Sequence, residues 1–82
     1  MNYDLWIDYQ ARRTDGLTPA LAKHGRAGLE LAAGEYLVVG AEDAEPAVAE
    51  VVDVRPDGVV LLRVLDGPAK DHLGLVRHAS AT

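Results

Sequence analysis

Residues 47–65 read AVAEVVDVRPDGVVLLRVL, two runs rich in valine and leucine separated by Arg55-Pro56-Asp57-Gly58. Proline stands at the second position of that turn. Glycine stands where a left-handed residue is required. This is the chemistry of a type I turn closing with a bulge, so the stretch is expected to form an antiparallel hairpin of strands 47–55 and 59–65. In the second strand Val60, Leu62 and Val64 share one side, while Val59, Leu61 and Leu65 share the other with Arg63. In the first, Val48, Val52 and Val54 lie with Glu50, opposite Ala47, Ala49 and Val51. A free-standing antiparallel sheet alternates apolar inside with polar outside. Both faces of this hairpin are largely apolar, so its second face needs a cover. Either the domain's own long loop supplies it or a second copy does, in which case Val59, Leu61 and Leu65 are the expected interface.

Working outward, Glu35 to Gly40 (EYLVVG) reads as another strand, entered through Ala33-Gly34. The loop 41–46 carries Glu42, Asp43 and Glu45 and reads as a solvated acidic loop that discourages edge-to-edge pairing. At the start, Tyr3, Leu5, Ile7 and Tyr9 alternate with Asp4, Trp6 and Asp8, which predicts a first strand over 3–9. Residues 10–33 lack strand periodicity. Within them Thr18 can cap, Pro19 suits a first helical turn and Gly25 can end one, so one short helix is expected in the long loop after the first strand. Leu29 and Leu31 suggest a short extended piece. Asp66-Gly67-Pro68 ends the fourth strand, 69–72 reads as a brief turn and Leu73 to Val76 as a short last strand. The expectation is one β-barrel domain over 1–78, with a flexible tail at 79–82.

The chain has 82 residues, 49% of them hydrophobic, which suits one domain with a modest core. No apolar run approaches the roughly 20 residues of a membrane-spanning helix. With no cysteine and no signal-like start, the expectation is a cytoplasmic protein. The excess of arginine over lysine, with abundant alanine and valine, suits a GC-rich bacterial genome. The net charge of −5 hides a basic segment: residues 10–28 hold Arg12, Arg13, Lys23 and Arg26 against Asp15 alone.

Five strands, a long excursion after the first and a tight hairpin between the third and fourth resemble an SH3-like barrel. Leu5-Trp6-Ile7-Asp8-Tyr9-Gln10-Ala11-Arg12 resembles the opening strand of SH3 domains, and Ala33-Gly34-Glu35-Tyr36-Leu37-Val38 is similar to their second strand. The stretch through Val54 is also similar to KOW-type barrels of ribosome- and polymerase-associated proteins. The resemblance implies the fold without the ligand site of SH3 domains. Ala47-Val48-Ala49 replaces the tryptophan pair of their third strand, and Leu73-Gly74-Leu75-Val76 stands nearest their closing Pro-Ser-Asn-Tyr motif. An OB-like barrel is the alternative, and neither fold determines a function.

No catalytic constellation emerges. His24, His72 and His78 lack zinc-motif spacing, and no cysteine joins them. Ser80, the single serine, falls in the tail. Glu42, Asp43 and Glu45 lack the spacing of a calcium loop. Gly25 and Gly28 flank Arg26, but no phosphate-binding glycine motif is present. The expectation is therefore no enzyme, no metal, no cofactor and no small-molecule substrate. Trp6 lies on the polar side of its strand and is expected either to pack under the long loop, the favoured reading, or to anchor a partner. Beside Arg12 and Arg13 it is the best docking candidate, and Tyr9, Lys23 and Arg26 complete the expected binding set. These residues predict a non-enzymatic protein-interaction module that binds a protein partner or itself. The alternative is a nucleic-acid-associated barrel, with the basic segment on phosphate and Trp6 or Tyr9 stacked on a base. The acidic remainder of the chain makes nucleic acid the weaker partner.

Overall fold

The computed structural model describes residues 3–76. Five strands run in chain order: β1 (Leu5–Trp6), β2 (Thr18–Leu21), β3 (Tyr36–Ala41), β4 (Ala44–Val54) and β5 (Val59–Val64). They form one mixed sheet in the order β1-β3-β4-β5-β2, curled into a half-barrel. β1 runs parallel to β3, with Leu5 opposite Val39, and every other neighbouring pair is antiparallel. The radius of gyration of 11.5 Å matches the roughly 12 Å of one packed domain of this length.

The hairpin at the centre forms as its turn chemistry requires. Gly58 N–H donates to the Arg55 carbonyl at 3.1 Å, Arg55 N–H donates to Val59 at 2.9 Å, and Gly58 takes φ +90°. Asp57 stiffens the turn by accepting from Val59 N–H at 3.1 Å. A register shift between Val51 and Asp53 inserts one extra residue into β4. It corrects the expected grouping of Val48, Val52 and Val54. Beyond the bulge Val54 lies opposite Val60, on the core side, because an extra residue exchanges the two faces.

The core lies on the concave face. Leu5, Ile7, Val39, Ala49, Val51, Val60 and Leu62 are fully buried in one cluster, with Leu29 and Leu31 packed on it from the long loop. Leu29 and Leu31 do this as irregular chain and not as the expected extended piece.

Two further expectations are overturned. No α-helix occupies the loop after β1: Thr18–Leu21 is an edge strand on β5, and only Ala22–His24 closes a 3₁₀ turn. So short a helix cannot repay its nucleation, whereas pairing with β5 satisfies a row of backbone groups. Pro19 fits this edge. Ala22 N–H bonds the Gly58 carbonyl, so two-residue alternation turns the Pro19 nitrogen away from β5. Nor is Leu73–Val76 a strand, since Leu73–Leu75 is a 3₁₀ turn following another at Ala69–Asp71. β3 and β2 already occupy the outer sides of β4 and β5, so the segment finds no free partner in the middle of the sheet. It crosses the outer face instead. Val48, Leu61 and Val76 are buried there, outside the main cluster, and the Ala69–Asp71 turn contacts β4. His72 Nε2 lies 2.7 Å from the Asp66 carbonyl and closes this strap. His78, Ser80 and the expected tail at 79–82 lie outside the described residues.

Candidate functional site

Strand β1 sets the site. Leu5 and Ile7 point into the core, so the two-residue period turns Trp6 outward, half-buried, between Asp4 and Asp8. Asp4 is fully engaged: its carboxylate accepts from Val38 N–H at 3.1 Å and from Arg26 Nε at 2.9 Å. Arg26 N–H also donates to the Asp4 carbonyl at 2.8 Å, which ties the 25–29 segment to β1. A bridge between Leu5 and Gly25 brings His24 beside Trp6, with ring centroids 5.4 Å apart and planes at 87°. The indole is thereby braced from the His24 side.

On the other side stands the tight β3–β4 turn. Ala41 pairs with Ala44, leaving Glu42 and Asp43 at the tip, where the parallel β1–β3 pairing sets them next to Trp6. Gly40 permits this approach. It pairs with Trp6, and a Cβ there would meet the Tyr3 ring at 2.5 Å. The result is a cleft of about 400 Å³ lined by Trp6, Asp8, Tyr9, Glu42 and Asp43, among others. A second hollow of about 320 Å³ lies against Trp6, His24 and Glu42.

Both hollows are acidic. Neither is lined by a lysine or arginine, nor by serine, threonine or cysteine. Asp8 accepts from Gln10 N–H at 2.9 Å, which fixes the turn that carries Tyr9. Glu42 and Asp43 make no side-chain hydrogen bond or ion pair among the described residues. Tyr9 packs against the core, its hydroxyl 3.4 Å from the carbonyls of Val39 and Glu45 and able to donate to one of them. Burial pushes its phenol above the ordinary value of 10.0. Among the described residues no group of three or more His, Asp or Glu is disposed to hold a metal.

Of the six residues expected to bind, only Trp6 and Tyr9 come together in this cleft. Arg13 pairs with Asp15 at 2.8 Å and Arg26 with Asp4, so half of the basic segment is compensated within the chain. Arg12 and Lys23 are exposed, make no ion pair among the described residues, and line neither hollow. On the outer face, Leu61 is 6% exposed within the single chain, and Val59 and Leu65 are half-buried. Sequence reasoning gave Asp8 no site role, set His24 aside as a metal ligand and read Glu42 and Asp43 as a solvated loop; the structure places all four around Trp6. Asp8 was marked by its alternation with Trp6, but nothing local marked the β3–β4 turn as its neighbour.

The cleft thus sets the Trp6 indole beside the carboxylates of Asp8, Glu42 and Asp43. No protein-family model matches the chain, and neither the curated proteins nor the solved structures searched contain a match to it. No helix among the described residues is long and apolar enough to cross a membrane.

Proposed function

We propose that the chain is a non-enzymatic interaction module that docks a basic segment of a protein partner on the Trp6 cleft. One observation carries this reading: the half-buried Trp6 lines its cleft together with Asp8, Glu42 and Asp43, and no lysine or arginine lines it. The same observation weighs against the nucleic-acid alternative. A base stacked on Trp6 or Tyr9 would bring its phosphate towards three carboxylates, while Arg13 and Arg26 are already engaged. Self-association through Val59, Leu61 and Leu65 is the weaker form of the proposal, since the chain itself covers Leu61.

The architecture suits such a role. A curled five-stranded sheet with a tight central hairpin supports an SH3-like assignment, with the OB-like barrel as the alternative, and small barrels commonly present clefts beside their loops. Here the aromatic residues come from β1 and the turn after it. The absence of cysteine suits action in the cytoplasm.

Magnitudes limit the claim. One exposed cation–π contact contributes about 0.5–1 kcal/mol, and one surface ion pair about 0–1 kcal/mol. A millimolar complex already requires about 4 kcal/mol net. A single cation is therefore not enough, and the partner must offer several contacts. The test is anisotropy of a labelled arginine-rich peptide, compared with a glutamate-rich peptide and a single-stranded oligonucleotide. Only the basic peptide is expected to bind, with affinity falling as salt rises and dropping about tenfold in Asp8→Asn/Asp43→Asn, in line with two lost ion pairs. Binding of the oligonucleotide, abolished by Arg12→Glu/Arg13→Glu, would put the phosphate-binding reading in its place.

A further inference from the structure

We infer that the Trp6 cleft is a two-place receptor for a pair of arginine side chains carried close together on one extended segment of the partner. This rests on the docking reading above and gives it a recognition rule. Trp6 and Glu42 line both hollows, so the two share the indole and one carboxylate. The larger hollow adds Asp8 and Asp43, and the smaller adds His24. Each place therefore offers a share of the same aromatic ring and of the same acid. His24 packs edge-on against the indole at 87° and braces it before any guest arrives. Glu42 and Asp43 are exposed on a two-residue turn and spend no hydrogen bond within the described chain.

Arginine fits these places better than lysine. Its guanidinium is flat and lies on an aromatic face while its fork of donors engages a carboxylate, whereas an ammonium is compact and strongly hydrated. Two arginines on one segment also solve the weakness of either alone. Once the first is seated, the second binds at the high effective concentration set by the short chain between them. Alternate residues of an extended segment point the same way about 7 Å apart, a spacing that lets both reach hollows sharing one ring.

Trp6 is the chain's single tryptophan, so its fluorescence reports the cleft directly. The probes are Gly/Ser peptides of equal length and charge, each with two arginines. In one set the pair is adjacent or separated by one, two or three residues; in the control the arginines sit at opposite ends. At least one close spacing is expected to bind tenfold or more tighter than the control. The Glu42→Gln chain is expected to bring that spacing down to the control's affinity, with Asp43→Asn producing a smaller loss. Equal affinity at every spacing overturns the two-place receptor and leaves the docking reading standing. A lysine pair that binds as well as the best arginine pair overturns the assignment to arginine. If no basic peptide changes the fluorescence, the docking reading falls as well.

Discussion

Tyr9 is the residue at which the core and the cleft meet. Its ring packs on the buried cluster while one edge lines the opening beside Trp6, and that divided setting desolvates the phenol. Burial disfavours the phenolate, so folding favours the neutral form and the phenol's value rises above 10.0. Its contribution is therefore complete below the unfolded value and is lost as pH rises through the folded one. Stability is expected to fall above about pH 10, and Tyr9→Phe should flatten that fall. Near neutrality the substitution should cost less than about 1 kcal/mol, because contacts of 3.4 Å are long for a hydroxyl donor. Urea midpoints of both chains at about pH 8 and about pH 10.5 decide it. Equal alkaline losses would assign the effect elsewhere. Asp4 and Arg26 make a related point, since a cation that reads as a phosphate contact serves here to fasten a loop to β1.

Among the elements, the turn of the β4–β5 hairpin was legible because Pro56 and Gly58 specify it within four residues, whereas the bulge between Val51 and Asp53 was not. β2 was not. Thr18, Pro19 and Gly25 satisfy the local rules of a short helix, and only the partner strand β5, far along the chain, turns Thr18–Leu21 into an edge. The cleft divides in the same way. The alternation of Leu5, Trp6 and Ile7 placed the indole outside the core, but its acidic neighbours arrive through the parallel β1–β3 pairing, which no local pattern announces. The apolar second face of the hairpin was legible as a face needing a cover, and the Pro68–Val76 strap is what lies over it. That assignment predicts a contrast between two residues of one strand side. Leu61→Ala leaves a void at a buried outer-face position and should cost about 2–4 kcal/mol. Val59→Ala, half-buried near the hairpin turn, should cost less than about 1 kcal/mol. At roughly 4–8 °C per kcal/mol for a domain of this size, thermal melts followed by circular dichroism separate them clearly. Equal melting temperatures would mean that Leu61 is not sealed from solvent.

For the whole molecule, the question is whether apolar surface or charge governs association. Among the described residues, the exposed large hydrophobic ones are Leu21, Val54, Leu73 and Leu75. Leu21 pairs with Val59 on the outer face, while Val54 lies opposite Val60 on the core face, so these two cannot join in one patch. A stable dimer buries about 800 Å² on each partner, a large share of the 5303 Å² that this chain exposes. Two copies would also bring together net charges of −5 each, and their clefts carry the same sign. The chain alone is therefore expected to sediment as a monomer of 8.7 kDa at tens of micromolar, at both low and moderate salt. Adding the best-bound basic peptide should give a one-to-one complex without dimerisation, because one Trp6 cleft takes one segment. A dimer that persists without peptide and dissociates in Val59→Glu/Leu65→Glu would instead give the outer face to a second copy. A dimer that forms only at high salt would show that charge repulsion alone keeps the copies apart.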